Sequence, residues 1–238
     1  MRTNRPNIVI VTTHDSGQHF GCYGAQGVRT PHVDALAGDG VRFDRMFSPS
    51  PMCTPARGAL LTGQWPERNG LLGLSGPNWQ YELRRKELHL SSVLKSNGYR
   101  TALYGFQHEA IHDGDLSFDT VYPLQVSEGD RNGTGAERRP GEDRGALIDR
   151  ITRPAPDIAR QAAAYVRAAA GSGQPFYLQV GFFETHTPYL WGGLKPERSD
   201  GLKPPPYSGL NDADDELRRH IAAFHASIHR VDEVFVLH

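Results

Sequence analysis

The chain has 238 residues, 38% of them hydrophobic and 22% charged, which is ordinary usage for one large folded domain and unlike that of disordered or membrane-embedded chains. Its formal net charge of −1 supplies no basic excess to neutralise phosphates, and no arginine-rich arm interleaved with aromatics occurs, so nucleic acid is not an expected partner. The longest N-terminal apolar run, Ile8 to Val11, is far shorter than a secretory core or the ~20 residues that span a bilayer, so the chain reads as cytoplasmic with no membrane partner.

In chain order, NIVIVTT (7–13) is a β-branched run too continuous for a half-exposed strand, which predicts a core strand covered on both faces. A short helix is expected from TPHVDALAGDG, with Thr30 as N-cap, Pro31 at the first helical position and Gly38 or Gly40 as the stop. VRFDRMF (41–47) alternates with period two and predicts a strand. In CTPARGALLTG, Thr54 or Cys53 can cap a helix that Pro55 opens and Gly63 ends. SSVLKSNGYRTALYG reads as a helix stopped at Gly98, then a strand from Arg100 to Tyr104. Residues 127–145 mix both charge signs with glycine and read as a solvated loop without function. Asp157 can cap IARQAAAYVRAAA, which is closed by Gly171 and Gly173 before the strand PFYLQVGFF. A Pro- and Gly-rich stretch, 191–210, is expected to wrap the surface near an active-site mouth. The last segment spaces Leu217, Ile221, Phe224, Ile228, Val231 and Phe235 as an amphipathic helix, on which His220, His225 and His229 read as exposed or helix-face residues rather than ligands. No internal repeat is visible. The alternation predicts an α/β fold, a mostly parallel sheet flanked by helices.

Two cysteines, Cys22 and Cys53, cannot form a disulfide framework; one bridge between them stays open, and reduced thiols are the simpler assumption. Cys53 sits at a positive helix end, a position that lowers a thiol's pKa and gathers backbone N–H groups for a tetrahedral anion. Arg57, one turn in, adds a bidentate cation. The competing reading is a buried cysteine that happens to precede a helix.

Cys53-Thr54-Pro55-Ala56-Arg57 followed by Leu61-Thr62-Gly63 resembles the signature of the sulfatase family, whose cysteine is oxidised to formylglycine. PNIVIVTTHDSG, then GCYG with TPHVDALAGDGVRFDRMF, NGYRTALYGFQH and FFETHTPY resemble further family segments in the same order. THDSG, NGLLGL and GFQHE look most like the heparan N-sulfatase-like branch.

The resemblance implies an alkaline-phosphatase-like core and a sulfuric ester or sulfamate hydrolase acting on a sulfated small molecule or saccharide. A formylglycine-generating enzyme would mature Cys53, and the resulting hydrate would attack sulfur. His108 would assist its hydroxyls, His186 would contact sulfate and protonate the leaving group, and Arg57 would position the formylglycine. Asp15 would bind a divalent cation, calcium first, with magnesium or another metal as alternatives, in a site shared with His14 and residue 53. Taken singly, His108 reads as a strand-end histidine, His186 as a turn cap and Asp15 as an Asx-turn residue; together, each follows a predicted strand, where an open α/β sheet places its site.

Three departures stand out. His14-Asp15 replaces the usual aspartate pair, Ala56 stands where serine is common, and Phe106 occupies the usual lysine position. The family pattern continues past VFVLH, so residues 1–238 read as the N-terminal portion of the catalytic domain, truncated before the C-terminal metal ligands and subdomain. The alternatives are a phosphatase or phosphonate hydrolase of the same superfamily, or a non-catalytic remnant.

Overall fold

The computed structural model describes residues 5–76, 79–124, 140–142, 146–147, 152–189, 194–195 and 215–235. Most of the predicted loops 127–145 and 191–210 lie outside these residues. The β-branched and apolar runs form β1 (Ile8–Thr12), β4 (Arg100–Gly105), β5 (Thr120–Pro123) and β6 (Phe176–Gly181) of one parallel sheet in the order β1-β6-β4-β5. A short antiparallel pair, β2 (Ser75–Gly76) and β3 (Trp79–Gln80), stands apart. The helices are α1 (Pro31–Asp39), α2 (Cys53–Thr62), α3 (Pro66–Asn69), α4 (Leu90–Ser96), α5 (Ala155–Ala170) and α6 (Asp215–Glu233). No helix among the described residues is long and apolar enough to cross a membrane.

The two central strands carry the core. Ala102 and Tyr104 of β4 and Phe176, Leu178 and Val180 of β6 pack against Ile158, Ala162 and Ala169 of α5. Full burial of Ile158 and Phe176 contributes about 1.5 to 3 kcal/mol each. The stripe read in IARQAAAYVRAAA is thus the face that covers the sheet. Its cap differs from expectation: Pro154 is the N-cap, Asp157 lies inside the first turn and accepts from the Tyr122 hydroxyl at 2.7 Å, and Glu184 accepts from the Ala155 N–H.

Two glycines shape the upper end of the sheet. Gly105 and Gly181 are register partners, and a Cβ on Gly181 would stand 1.9 Å from the Phe106 carbonyl oxygen. Gly105 has φ +81° and would bring its own Cβ to 2.3 Å from the Gly181 oxygen. Only glycine permits this approach. Past it, the chains leave β4 and β6 for the loops that carry His108 and His186.

Three expectations are corrected. β1 is an edge strand with Val9 48% and Val11 38% exposed, because among the described residues only β6 pairs with it. VRFDRMF forms no strand, and Phe43 and Phe47 are exposed: a period-two pattern becomes a strand only when a neighbouring edge accepts its hydrogen bonds, and β1 does not. Thr30 holds the N-cap position of α1 but makes no capping bond, since its hydroxyl accepts from Gly21 N–H and donates to Asp34. Asp232 of α6 caps α1 instead, accepting from Val33 N–H at 2.8 Å and His32 N–H at 3.1 Å. On the same helix His225 is a buried helix-face residue, and His229 Nε2 accepts from Arg29 N–H at 2.9 Å.

Candidate active site

The site lies where β1, β4 and β6 end and α2 begins, the C-terminal edge at which parallel sheets place their ligands. A cleft of about 820 Å3 opens there, with Thr12, His14, Asp15, Cys53 and Arg57 in its lining. Phe43, Met46, Phe47 and Met52 form an apolar wall on one side.

Cys53 is the first residue of α2; Met52 takes the N-cap position expected of Thr54 or Cys53. Both cysteines are free, and the half-buried Cys53 Sγ lies 3.2 Å from His108 Nδ1. Burial pushes the Cys53 thiol up, against the lowering expected of a helix end; backbone contact and Arg57 pull it down, but by less. His108 is pulled down to about 4, mainly by burial, so its imidazole is neutral.

Arg57 lies one turn into α2, buried, with its guanidinium 4.8 Å above the Phe106 ring and Nη1 donating to Thr12 Oγ1 at 2.9 Å. Thr12 in turn donates to the Val180 carbonyl at 3.3 Å, which ties the cation to β1 and β6. Burial pulls the guanidinium down, and Glu109 is the largest opposing influence. Glu109 is fully buried behind His108. Its Oε2 accepts from the His108 N–H at 3.1 Å, while Oε1 has no hydrogen-bond partner. Burial raises its carboxyl and the Arg57 charge lowers it. Gln107 braces the same loop, accepting from the N–H groups of Glu109 and Ala110 at 2.9 and 3.1 Å.

On the β1 side His14, Asp15 and His186 converge, with ligand atoms within 4.8 Å of one another. Asp15 has φ +23°, outside ordinary backbone space, and His14 Nδ1 stands 3.0 Å from its Oδ1. Nδ1 of the buried His14 thus faces the Asp15 carboxylate, while its Nε2 has no hydrogen-bond partner among the described residues. Burial lowers His14 and the adjacent carboxylate raises it, while contact with His14 lowers Asp15. The His14 carbonyl accepts from Ser16 Oγ at 2.7 Å and from the Thr185 hydroxyl, joining the β1 and β6 loops. His186 stacks on Phe183 at 4.6 Å between ring centroids and lies 4.6 Å from His14.

All six residues singled out in the sequence thus surround one cleft end, in two subsets. Cys53, Arg57 and His108 form one; His14, Asp15 and His186 form the other. Among the described residues the possible metal donors that converge are His14, Asp15 and His186, while the Cys53 sulfur faces His108. Sequence reasoning missed Glu109, Thr12 and Thr185. The signal for Glu109 was a carboxylate in GFQHEA, directly after the strand-end histidine and amid apolar residues.

The donors fit a divalent cation, since His14 offers buried nitrogens with no other partner beside a carboxylate. Of these donors the imidazoles are poorer partners than a carboxylate for a hard cation such as calcium.

The sulfatase family model matches residues 6–236, and the chain belongs to the sulfatase family, which works with a metal ion and a formylglycine. Steryl-sulfatase of Homo sapiens is 38% identical over 160 residues, covering 57% of this chain and 27% of that protein. A solved structure concerned with glycosaminoglycan metabolism by Bacteroides thetaiotaomicron matches 98% of this chain and 58% of its own, with TM-score 0.68 and 20% identity. Phosphonate monoester hydrolase of Agrobacterium radiobacter matches 97% of this chain and 58% of its own, with TM-score 0.62 and 20% identity. The fold is therefore part of an alkaline-phosphatase-like sulfatase core, and the chain spans well under two thirds of each of these proteins.

Proposed function

We propose that these residues belong to a sulfuric ester or sulfamate hydrolase in which Cys53, matured to formylglycine, is the nucleophile. The observation that carries this reading is the 3.2 Å contact of Cys53 with His108 at the start of α2, beside the buried cation Arg57. A hydroxyl of the aldehyde hydrate attacks sulfur as it loses its proton to solvent, and the bond from sulfur to the leaving oxygen or nitrogen breaks. His186 supplies the proton to that atom. His108 then takes the proton of the second hydroxyl, the carbon-oxygen bond to sulfate breaks, and the aldehyde returns. Arg57 orients the substituent at residue 53 and balances anionic charge in a water-poor corner. A divalent cation held by Asp15, with His14 beside it, would neutralise sulfate oxygens when bound.

The Arg57 guanidinium over the Phe106 ring, with no second cation beside it among the described residues, favours the singly charged sulfate monoester over the doubly charged phosphate. The match to a glycosaminoglycan-metabolism structure supports a sulfated saccharide as substrate class. In the whole protein the residues 1–238 would form the N-terminal part of the catalytic domain, matured by a formylglycine-generating enzyme. The test is co-expression with that enzyme, mass analysis of the Cys53 peptide, and paired turnover of aryl sulfate and aryl phosphate. Aldehyde formation, sulfate-selective turnover and its loss in Cys53→Ala are expected; dominant phosphate turnover, or activity in that variant, overturns the reading.

A further inference from the structure

We propose that Glu109 acts through Arg57 as a positioning residue for charge. Its buried carboxylate offsets the guanidinium, so that the corner beside residue 53 holds a singly charged sulfate ester or sulfamate in preference to a doubly charged phosphate ester. The inference rests on the hydrolase reading, because it names what sets the charge of the ester accepted at that same site.

Three observations carry it. Arg57 is 7% exposed and Glu109 0% exposed, so a cation and a carboxylate share the interior next to the contact of Cys53 with His108. A guanidinium stays charged in a folded protein, and a buried charge left without an opposite one is strongly destabilising. Of the carboxylates that act on Arg57, Glu109 acts most strongly, ahead of Asp15, whose side chain is 55% exposed and faces His14. Second, Arg57 donates to Thr12 Oγ1 rather than to Glu109, so its charge is compensated while it still lines the cleft. Third, Glu109 is fixed in place. Its Oε2 accepts from the His108 N–H at 3.1 Å, and Gln107 Oε1 accepts from the Glu109 N–H at 2.9 Å. Burial opposes ionisation of this carboxyl, while Arg57 and the backbone N–H groups favour it. Burial and the nearby Glu109 charge push the Tyr177 phenol up, and its hydroxyl donates to Gln179 Oε1 at 2.9 Å, so it does not neutralise the carboxylate.

A ligand carrying two negative charges feels the potential of Glu109 twice as strongly as a ligand carrying one. The carboxylate therefore penalises a phosphate dianion more than a sulfate monoanion, whatever other groups meet the ester. Glutamine at this position keeps the shape of the side chain and leaves every other charge of the cleft as it was.

The test uses the 238-residue chain carrying Cys22→Ser, in which Cys53 is the one thiol. Alkylation of Cys53 by iodoacetate, an anion, is compared with alkylation by iodoacetamide, which is neutral and of similar size. The ratio of the two rates cancels access and thiolate fraction. In Glu109→Gln the ratio of anionic to neutral reagent should rise about three-fold or more, and in Glu109→Asp, which keeps the charge, it should stay near the parent value. An unchanged ratio in Glu109→Gln, or an equal rise in both variants, overturns the inference. If Glu109→Gln does not fold, the carboxyl carbon resonance of Glu109 in the parent chain, assigned through its own backbone, decides at neutral pH: an ionised carboxyl is expected, and a protonated one overturns the inference. These measurements need neither formylglycine nor turnover. An unchanged ratio together with an aldehyde at residue 53 and sulfate turnover leaves the hydrolase reading standing, whereas a raised ratio with an unmodified thiol and no turnover leaves the charge effect standing without it.

Discussion

His89 provides a quantitative test of how burial governs this chain. It is 0% exposed at the N-cap of α4, where Nδ1 accepts from Ser91 N–H at 3.2 Å; Nε2 is buried without a partner. Burial alone lowers its pKa from 6.5 to about 4. The folded value lies below the unfolded one, so the stabilisation is fully present above pH 6.5 and is lost as pH falls through about 4. At about 1.4 kcal/mol per pH unit, that gap corresponds to ~3 kcal/mol. His89→Asn keeps an oxygen that can cap α4 but removes the titration, and its packing defect is independent of pH. Urea unfolding of both proteins between pH 7.5 and 4 isolates this contribution, because other titrating groups cancel in the difference. The stability advantage of the parent chain should shrink by ~3 kcal/mol on acidification. Parallel pH curves would refute the claim that burial holds this imidazole neutral.

Gly181→Ala forces a methyl into a gap of 1.9 Å to the Phe106 oxygen, so the chain should lose ~1 to 3 kcal/mol of stability by thermal melting, with misplacement of the His108 and His186 loops. Asp232→Ala strips the N–H groups of His32 and Val33 of their acceptor and should cost ~1 to 2 kcal/mol in urea unfolding; an unchanged midpoint would show that solvent replaces it. Thr12→Val removes the hydroxyl that receives Arg57 and should cost ~1.5 to 3 kcal/mol, with weaker retention of inorganic sulfate measured by calorimetry.

The elements decided by local periodicity were legible: β4, β6, α5 and α6 follow from alternating apolar runs and a 3.6-residue stripe. What was not legible depends on partners far along the chain. The cap of α1 comes from Asp232, 200 residues beyond His32, and no local pattern near Thr30 announces it. VRFDRMF reads as a strand by period, yet strand formation requires a neighbouring edge that sequence alone does not name. In the site, residue types and their strand-end positions were readable. The division of labour was less so, because whether His186 faces His14 or Cys53 depends on how two parallel crossovers bring their loops together. Likewise the helix end argued for an acidic Cys53 thiol, but desolvation is the stronger influence once the sulfur is half-buried.

The one-sided pairing of β1 also bears on handling the chain in solution. Its outer rim meets no strand among the described residues, the side chains of Val9 and Val11 protrude beside it, and Ile8–Thr12 contains neither charge nor proline to deter a second molecule from zippering on. This five-residue strip is therefore the weak point for colloidal behaviour: concentrated samples would cloud from here first, even while the cleft beside Cys53 stays folded.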